Sequence, residues 1–275
     1  MGDITITVNA IQGIPVSSTP PTAGQVLQFN GTEYVPATLP FINPQSISGL
    51  QLWLRSDIGI TLSGSEVVSW MDQSGTGDIN KNMNGGGSAL NPTINSSDAD
   101  YNSYPSVNFL QSSSQYMLSV GNWSIPLGQP FTVFIVGNDD GNTSNNQCYF
   151  SNTASTNPSM FVYSPSGPFV YLMEASSICY TAIQPTGDPE VFRMEYNSPN
   201  STMSISTATP NISSQNTGST TLGTNGFVLG AYNNDTACLN GKLVEVIVYD
   251  NILSSVEVAQ VQNYLSARYS ISIGP

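Results

Sequence analysis

The sequence contains no histidine, and only five lysines and arginines stand against 18 acidic residues, a formal net charge of −13 over 275 residues. Charged residues total 8%, where an ordinary globular domain has about 25%. The missing histidine excludes a Ser-His-Asp triad, a Cys-His dyad and a His-ligated zinc site. Five scattered cations cannot neutralise a run of phosphates, which excludes nucleic acid as a partner. The same shortage argues against an anionic membrane surface. Cysteine is scarce too. Cys148, Cys179 and Cys238 are far apart, odd in number and form no CxxC pair, so they read as small buried hydrophobes rather than a disulfide framework or a metal cluster. No apolar run approaches the roughly 18 residues that span a bilayer. The first eight residues have neither the basic flank nor the apolar core of a secretory signal. The expectation is a chain made in the cytoplasm without an export leader.

What is present is neutral and polar: Ser, Thr, Asn and Gln must supply the solvated surface. The length allows one large domain, or one domain with a small attachment. A chain of this size buries about three quarters of its unfolded surface and needs no metal or disulfide staple.

Residues 1–44 differ from the rest. Ile4, Ile6 and Val8 alternate with polar residues and predict a short strand. Residues 15–23, PVSSTPPTA, favour extended backbone and pack no core. Asn30-Gly31 then separates two alternating runs that contain Leu27, Phe29 and Tyr34. This pair predicts a hairpin with a two-residue type I′ turn, which needs positive φ at both central positions. Such a hairpin is too small to be stable alone and needs a partner surface.

From residue 45 the pattern is one of short strands, predicted near 50–54, 67–71, 106–109, 116–120, 131–136, 159–162, 170–174, 178–183, 191–195, 202–207, 227–231 and 243–249. Gly-, Asn-, Ser- and Pro-rich intervals separate them. This spacing predicts an all-β sandwich or jelly roll. The runs 131–136 and 243–249 are almost continuously apolar and should be central. Residues 75–97 and 138–147 are expected to be long surface loops. Ser254-Ser-Val-Glu257 forms a capping box, followed by Val258, Val261 and Leu265 at helical spacing, so one C-terminal helix is predicted.

The body of the chain, about 48–273, resembles the bacterial and phage branch of the laminin-G-like, concanavalin A-like lectin superfamily. The residues that carry the likeness are GLQLWLRSD at 49–57, VVSWMDQSG at 67–75, PSVNF at 105–109, FTVFIV at 131–136 and LNGKLVEVIVYDNIL at 239–253. The resemblance implies an antiparallel two-sheet jelly roll and a superfamily that hosts lectins, adhesion modules, capsid-associated domains and some glycoside hydrolases. Fold alone does not choose among these. The GQVLQFNGTEYVP run at 24–36 is similar to a module of phage tail and head fibres, which implies virion attachment and trimerisation through residues 1–44, with residues 45–275 as the lectin-like domain.

A retaining hydrolase of this superfamily is expected to carry a Glu-x-Asp-x-x-Glu strand, and no such spacing occurs. The nearest pairs, Glu190 with Glu195 and Glu245 with Asp250, are five apart and so lie on opposite strand faces. Glu245 reads as a structural carboxylate, Trp53 and Trp70 as core, and Asp57 and Asp72 as turn acids. No catalytic residue is assigned. Asp139, Asp140 and Asn142 offer hard oxygens on a Gly-containing loop and are the candidate calcium ligands. Trp123 with Asn122, and Tyr101 with Asn102 and Tyr104, sit in predicted loops and are the candidate glycan-binding residues.

The expected function is a non-enzymatic structural protein of a phage virion surface: a head fibre, capsid decoration or tail fibre. Its N-terminal arm would dock on capsid or tail proteins and trimerise the chain, while the sandwich contacts host glycan. The alternatives are a cement protein without a ligand and a glycan-processing enzyme.

Overall fold

The computed structural model describes residues 10–19, 25–38, 42–141, 145–153, 158–163, 170–219, 221–233 and 236–275. The chain divides into two compact units, Met1–Ile42 and Asn43–Pro275. In the first, β1 (Gln25–Phe29) and β2 (Tyr34–Thr38) form an antiparallel hairpin, with Phe29 opposite Tyr34. That register leaves four residues in the loop, not the expected two. The side chain of Asn30 explains the difference. Its Oδ1 accepts from Thr32 N, Thr32 Oγ1 and Glu33 N at 2.9–3.0 Å, so the asparagine caps a wider turn, and only Gly31 adopts positive φ there. The expected strand at Ile4, Ile6 and Val8 lies outside the described residues.

The second unit is an antiparallel two-sheet sandwich of jelly-roll type. Its principal strands are β3 (Leu50–Arg55), β4 (Glu66–Trp70), β5 (Tyr104–Phe109), β6 (Phe131–Asp139), β7 (Gln147–Asn152), β8 (Ser159–Tyr163), β9 (Val170–Glu174), β10 (Ile178–Tyr180), β11 (Glu190–Tyr196), β12 (Ser201–Ile205), β13 (Phe227–Leu229) and β14 (Gly241–Tyr249), followed by the helix α1 (Ser255–Tyr269). One sheet runs β12-β11-β6-β14-β3. The other contains β10-β9-β8-β7-β13.

The core lies between the sheets. Val133, Ile135, Phe192, Met194, Val246 and Val248 come from the first, and Tyr149, Phe150, Met160, Val162, Tyr171, Met173 and Leu229 from the second. Each such burial stabilises by about 1.5–3 kcal/mol. The residues between them on β6 and β14, Phe134, Ile247 and Tyr249, are also fully buried. On that outer side α1 closes the sheet: Tyr264 and Tyr269 both reach Glu245 of β14. Burial on two faces is why these two strands read as continuous apolar runs. The helix begins where expected. Ser254 Oγ accepts from Glu257 N, and the Glu257 carboxylate accepts from Ser254 N. No helix among the described residues is long and apolar enough to cross a membrane.

Two loop expectations are corrected. Residues 75–97 contain a 3-10 turn (Ile79–Lys81) and strands at Met83–Gly85 and Thr93–Asp98. Asn138 and Asp139 belong to β6, and Gln147 opens β7.

Candidate functional site

The outer face of the second sheet is only partly covered. On β8, Met160 and Val162 point into the core, which turns Phe161 and Tyr163 outward. On β9, Tyr171 and Met173 point in, which turns Leu172 and Glu174 outward. Register places Cys148, Phe161, Leu172 and Tyr180 in one row across β7–β10, and Ser159, Glu174 and Ile178 in the next. The segment after β13 forms one wall: Tyr232 packs its ring 4.9 Å from that of Phe161, and Cys148 N donates to Ala237 O at 2.7 Å. Gln111 forms a second wall, its Nε2 donating to Cys238 O at 2.8 Å and Asn146 O at 3.1 Å. The result is a groove of about 620 Å³ with an aromatic and aliphatic floor and amide-bearing rims, including Asn145 and Asn146.

Glu174 is the one carboxylate among the described residues that line this groove. It is half-buried, and burial pushes its carboxyl above the ordinary value. Its cross-strand neighbour Ser159 is fully buried, with a hydroxyl that has no hydrogen-bond partner among the described residues.

The residues chosen from the sequence lie elsewhere. Trp123 is 2% exposed. It packs 5.6 Å from Phe227, with Lys81 Nζ 5.2 Å from its ring centroid, so it presents no face for stacking. Asn122 beside it is exposed. Tyr101 is fully buried, its hydroxyl donating to Asn138 Oδ1 at 2.9 Å. The guanidinium of Arg268 lies 4.0 Å over the ring of Tyr104, and Asn102 Nδ2 donates to Arg268 O at 3.0 Å. The expectation of an open aromatic platform at Trp123, Tyr101 and Tyr104 is therefore corrected: distant core residues cover the first two rings, and a cation occupies the third.

The calcium candidates are also redirected. Asp139 is 1% exposed and accepts from Tyr149 OH at 2.9 Å, Tyr171 OH at 2.7 Å and Gly141 N at 2.7 Å. Asp140 accepts from Gln147 Nε2 at 2.8 Å and Asn240 Nδ2 at 2.6 Å. These carboxylates brace the strand ends, and Asn142 lies outside the described residues. No cluster of three potential metal ligands occurs among the described residues.

Glu245 has the structural surroundings its sequence context suggests. It is fully buried, and its oxygens accept from Trp53 Nε1 at 2.6 Å, Tyr264 OH at 3.0 Å and Tyr269 OH at 2.6 Å. Arg268 Nε is 3.6 Å away and bridges on to Asp57, which Arg55 also holds. Burial pushes the Glu245 carboxyl up, against these hydrogen bonds and Arg268, which favour its charge. Asp250 instead accepts from Gln51 Nε2 at 2.7 Å. Glu195 accepts from Thr202, and burial pushes Glu190 up.

Phe161, Tyr163, Glu174 and Tyr232 were not legible as a site. The one signal was that β8 and β9 carry aromatic or aliphatic residues at almost every position, which a strand with one wet polar face does not.

No protein-family model and no curated protein sequence matches this chain. Solved structures do share its fold. Domain 4 of AbnA, a GH43 extracellular arabinanase from Geobacillus stearothermophilus, determined in complex with arabinotriose, superposes with a TM-score of 0.56 at 13% identity, over 78% of this chain and 98% of that one. The binding domain of Paraclostridial Mosquitocidal Protein 1 superposes with a TM-score of 0.50 at 12% identity, over 80% of this chain. This chain spans about half of that domain, 53%. The likeness is one of fold: a β-sandwich.

Proposed function

We propose that the Asn43–Pro275 sandwich is a glycan-adhesion module and that the chain displays it on a virion surface. The observation that carries the adhesive half is the groove. A sugar ring has apolar C–H faces and a hydroxyl rim. Tyr163 and Tyr232 offer flat apolar surface, and Gln111, Asn145 and Asn146 offer amides at the edge. The AbnA domain of the same fold was determined with arabinotriose, which supports a sugar over other small molecules. Binding rather than hydrolysis fits a groove to which the described residues bring one carboxylate, because both glycosidase mechanisms use two, about 5–9.5 Å apart. Half-buried Tyr232 is the residue to change. Tyr232→Ala is expected to weaken glycan binding about tenfold, or ~1.4 kcal/mol, with the melting temperature nearly retained, read by glycan array and calorimetry. Undiminished binding in this variant would remove the groove from the proposal.

The display half rests on the hairpin unit. Leu27 and Phe29, both on β1, are 38% and 46% exposed, and a two-stranded hairpin needs a further surface for stability. In this reading the unit joins three copies and docks on the capsid or tail, and avidity multiplies weak contacts to sugar. The full chain is expected to sediment as a trimer, and the double variant Leu27→Asp/Phe29→Asp as a monomer that is missing from purified particles. A monomeric parent chain would sink the attachment role.

A further inference from the structure

The whole sequence holds five basic side chains, and every one is engaged away from the groove. Arg55 and Arg268 share Asp57. Lys81 donates to Gln51 and lies over Trp123. Arg193 donates to Ser204 and lies 3.6 Å from Glu195. Lys242 bridges Asp98 and Asp100 at 2.9 and 2.8 Å. No basic side chain therefore faces an acidic sugar in the groove, and none offsets Glu174, which makes no hydrogen bond or ion pair among the described residues. A half-buried carboxylate without a counter-ion is costly, and its raised carboxyl reports that cost. The floor beside it is aromatic, and aromatic faces attract ammonium groups.

We infer that the groove selects an ammonium-bearing glycan, a hexosamine whose nitrogen is not acetylated, with Glu174 as its counter-ion. The inference rests on the glycan-adhesion reading and sharpens it. The bound ammonium sits between the Glu174 carboxylate and the half-buried ring of Tyr232, which packs on Phe161. An N-acetylated sugar presents a neutral amide there and leaves the carboxylate unpaired. A sialylated or uronate-containing sugar brings a second negative charge into a groove with no positive one, and is repelled.

The test is calorimetric titration of the full chain with a glucosamine tetramer, an N-acetylglucosamine tetramer and sialyllactose, repeated on Glu174→Gln. The parent chain is expected to bind the glucosamine tetramer about tenfold more tightly than its acetylated form, and sialyllactose most weakly. Glu174→Gln is expected to remove the difference by weakening the amine ligand alone. Thermal melting checks that the variant folds, and removing a half-buried charge that has no counter-ion should leave its stability equal or higher. Equal affinity of the parent chain for both tetramers, or strongest binding of sialyllactose, overturns the charge selection and leaves glycan adhesion standing. Preference for the amine that persists in Glu174→Gln overturns the role of Glu174. Failure of every glycan on an array to bind defeats the adhesion reading, and this inference with it.

Discussion

Replacing Glu245 with alanine is expected to destabilise the sandwich by about 3–5 kcal/mol, the range for breaking a buried, hydrogen-bonded charge network. The reason is the number of groups it leaves stranded. Trp53 Nε1, Tyr264 OH and Tyr269 OH would all lose their acceptor, and each buried donor without a partner costs about 1–3 kcal/mol. Arg268 would keep Asp57. For a unit of this size the melting temperature should fall by on the order of 10 °C. Glu245→Gln retains volume and part of the acceptance and should fall in between. Differential scanning calorimetry of both variants decides the matter. A loss under about 1 kcal/mol in Glu245→Ala would show that the helix is held by its apolar stripe alone.

The second large effect belongs to Gly223. Its φ is +83°, and a Cβ there would sit 2.6 Å from the ring of Trp123, which is itself buried. Gly223→Ala thus combines a left-handed backbone that disfavours side chains with overpacking against a rigid ring, together about 2–4 kcal/mol. Urea unfolding should show this loss. Combining the change with Trp123→Phe should recover part of it, because the smaller ring yields the space, and a double-mutant cycle reads the coupling. Strict additivity of the two changes would rule out the clash as the cause.

Most of the architecture could be read from the residues, for reasons visible in the structure. β6 and β14 are buried on both faces, so their apolar runs were unbroken. The helix announced itself because Ser254 and Glu257 satisfy each other's backbone groups before any tertiary contact forms. The strand Thr93–Asp98 stayed hidden because most of its side chains are partly or fully exposed, so its Asn and Ser residues read as loop. The hairpin was legible but its turn was not, since the choice between two and four loop residues lay in the side-chain bonds of Asn30.

The site was far less legible. Trp123 and Tyr101 stand among turn residues and read as exposed. They are buried by Phe227 and Tyr269, which come more than a hundred residues later in the chain. Asp139 looked like a free loop acid, and the hydroxyls of Tyr149 and Tyr171 that occupy it arrive from two later strands. The groove was invisible for the complementary reason. Nothing local in β8 or β9 says which face remains open, because that depends on where the segment carrying Tyr232 and Ala237 comes to rest.

The confinement of the five basic side chains has a consequence for the protein's resistance to digestion. Trypsin-like proteases cut after lysine or arginine and must draw several residues around the cut into their cleft as a free extended strand. Arg55, Arg193 and Lys242 lie in paired strands, Arg268 in the helix and Lys81 in a tight turn with 3% of its surface exposed. Each bond such an enzyme could hydrolyse is therefore withheld by the fold, and digestion must wait for the sandwich to open.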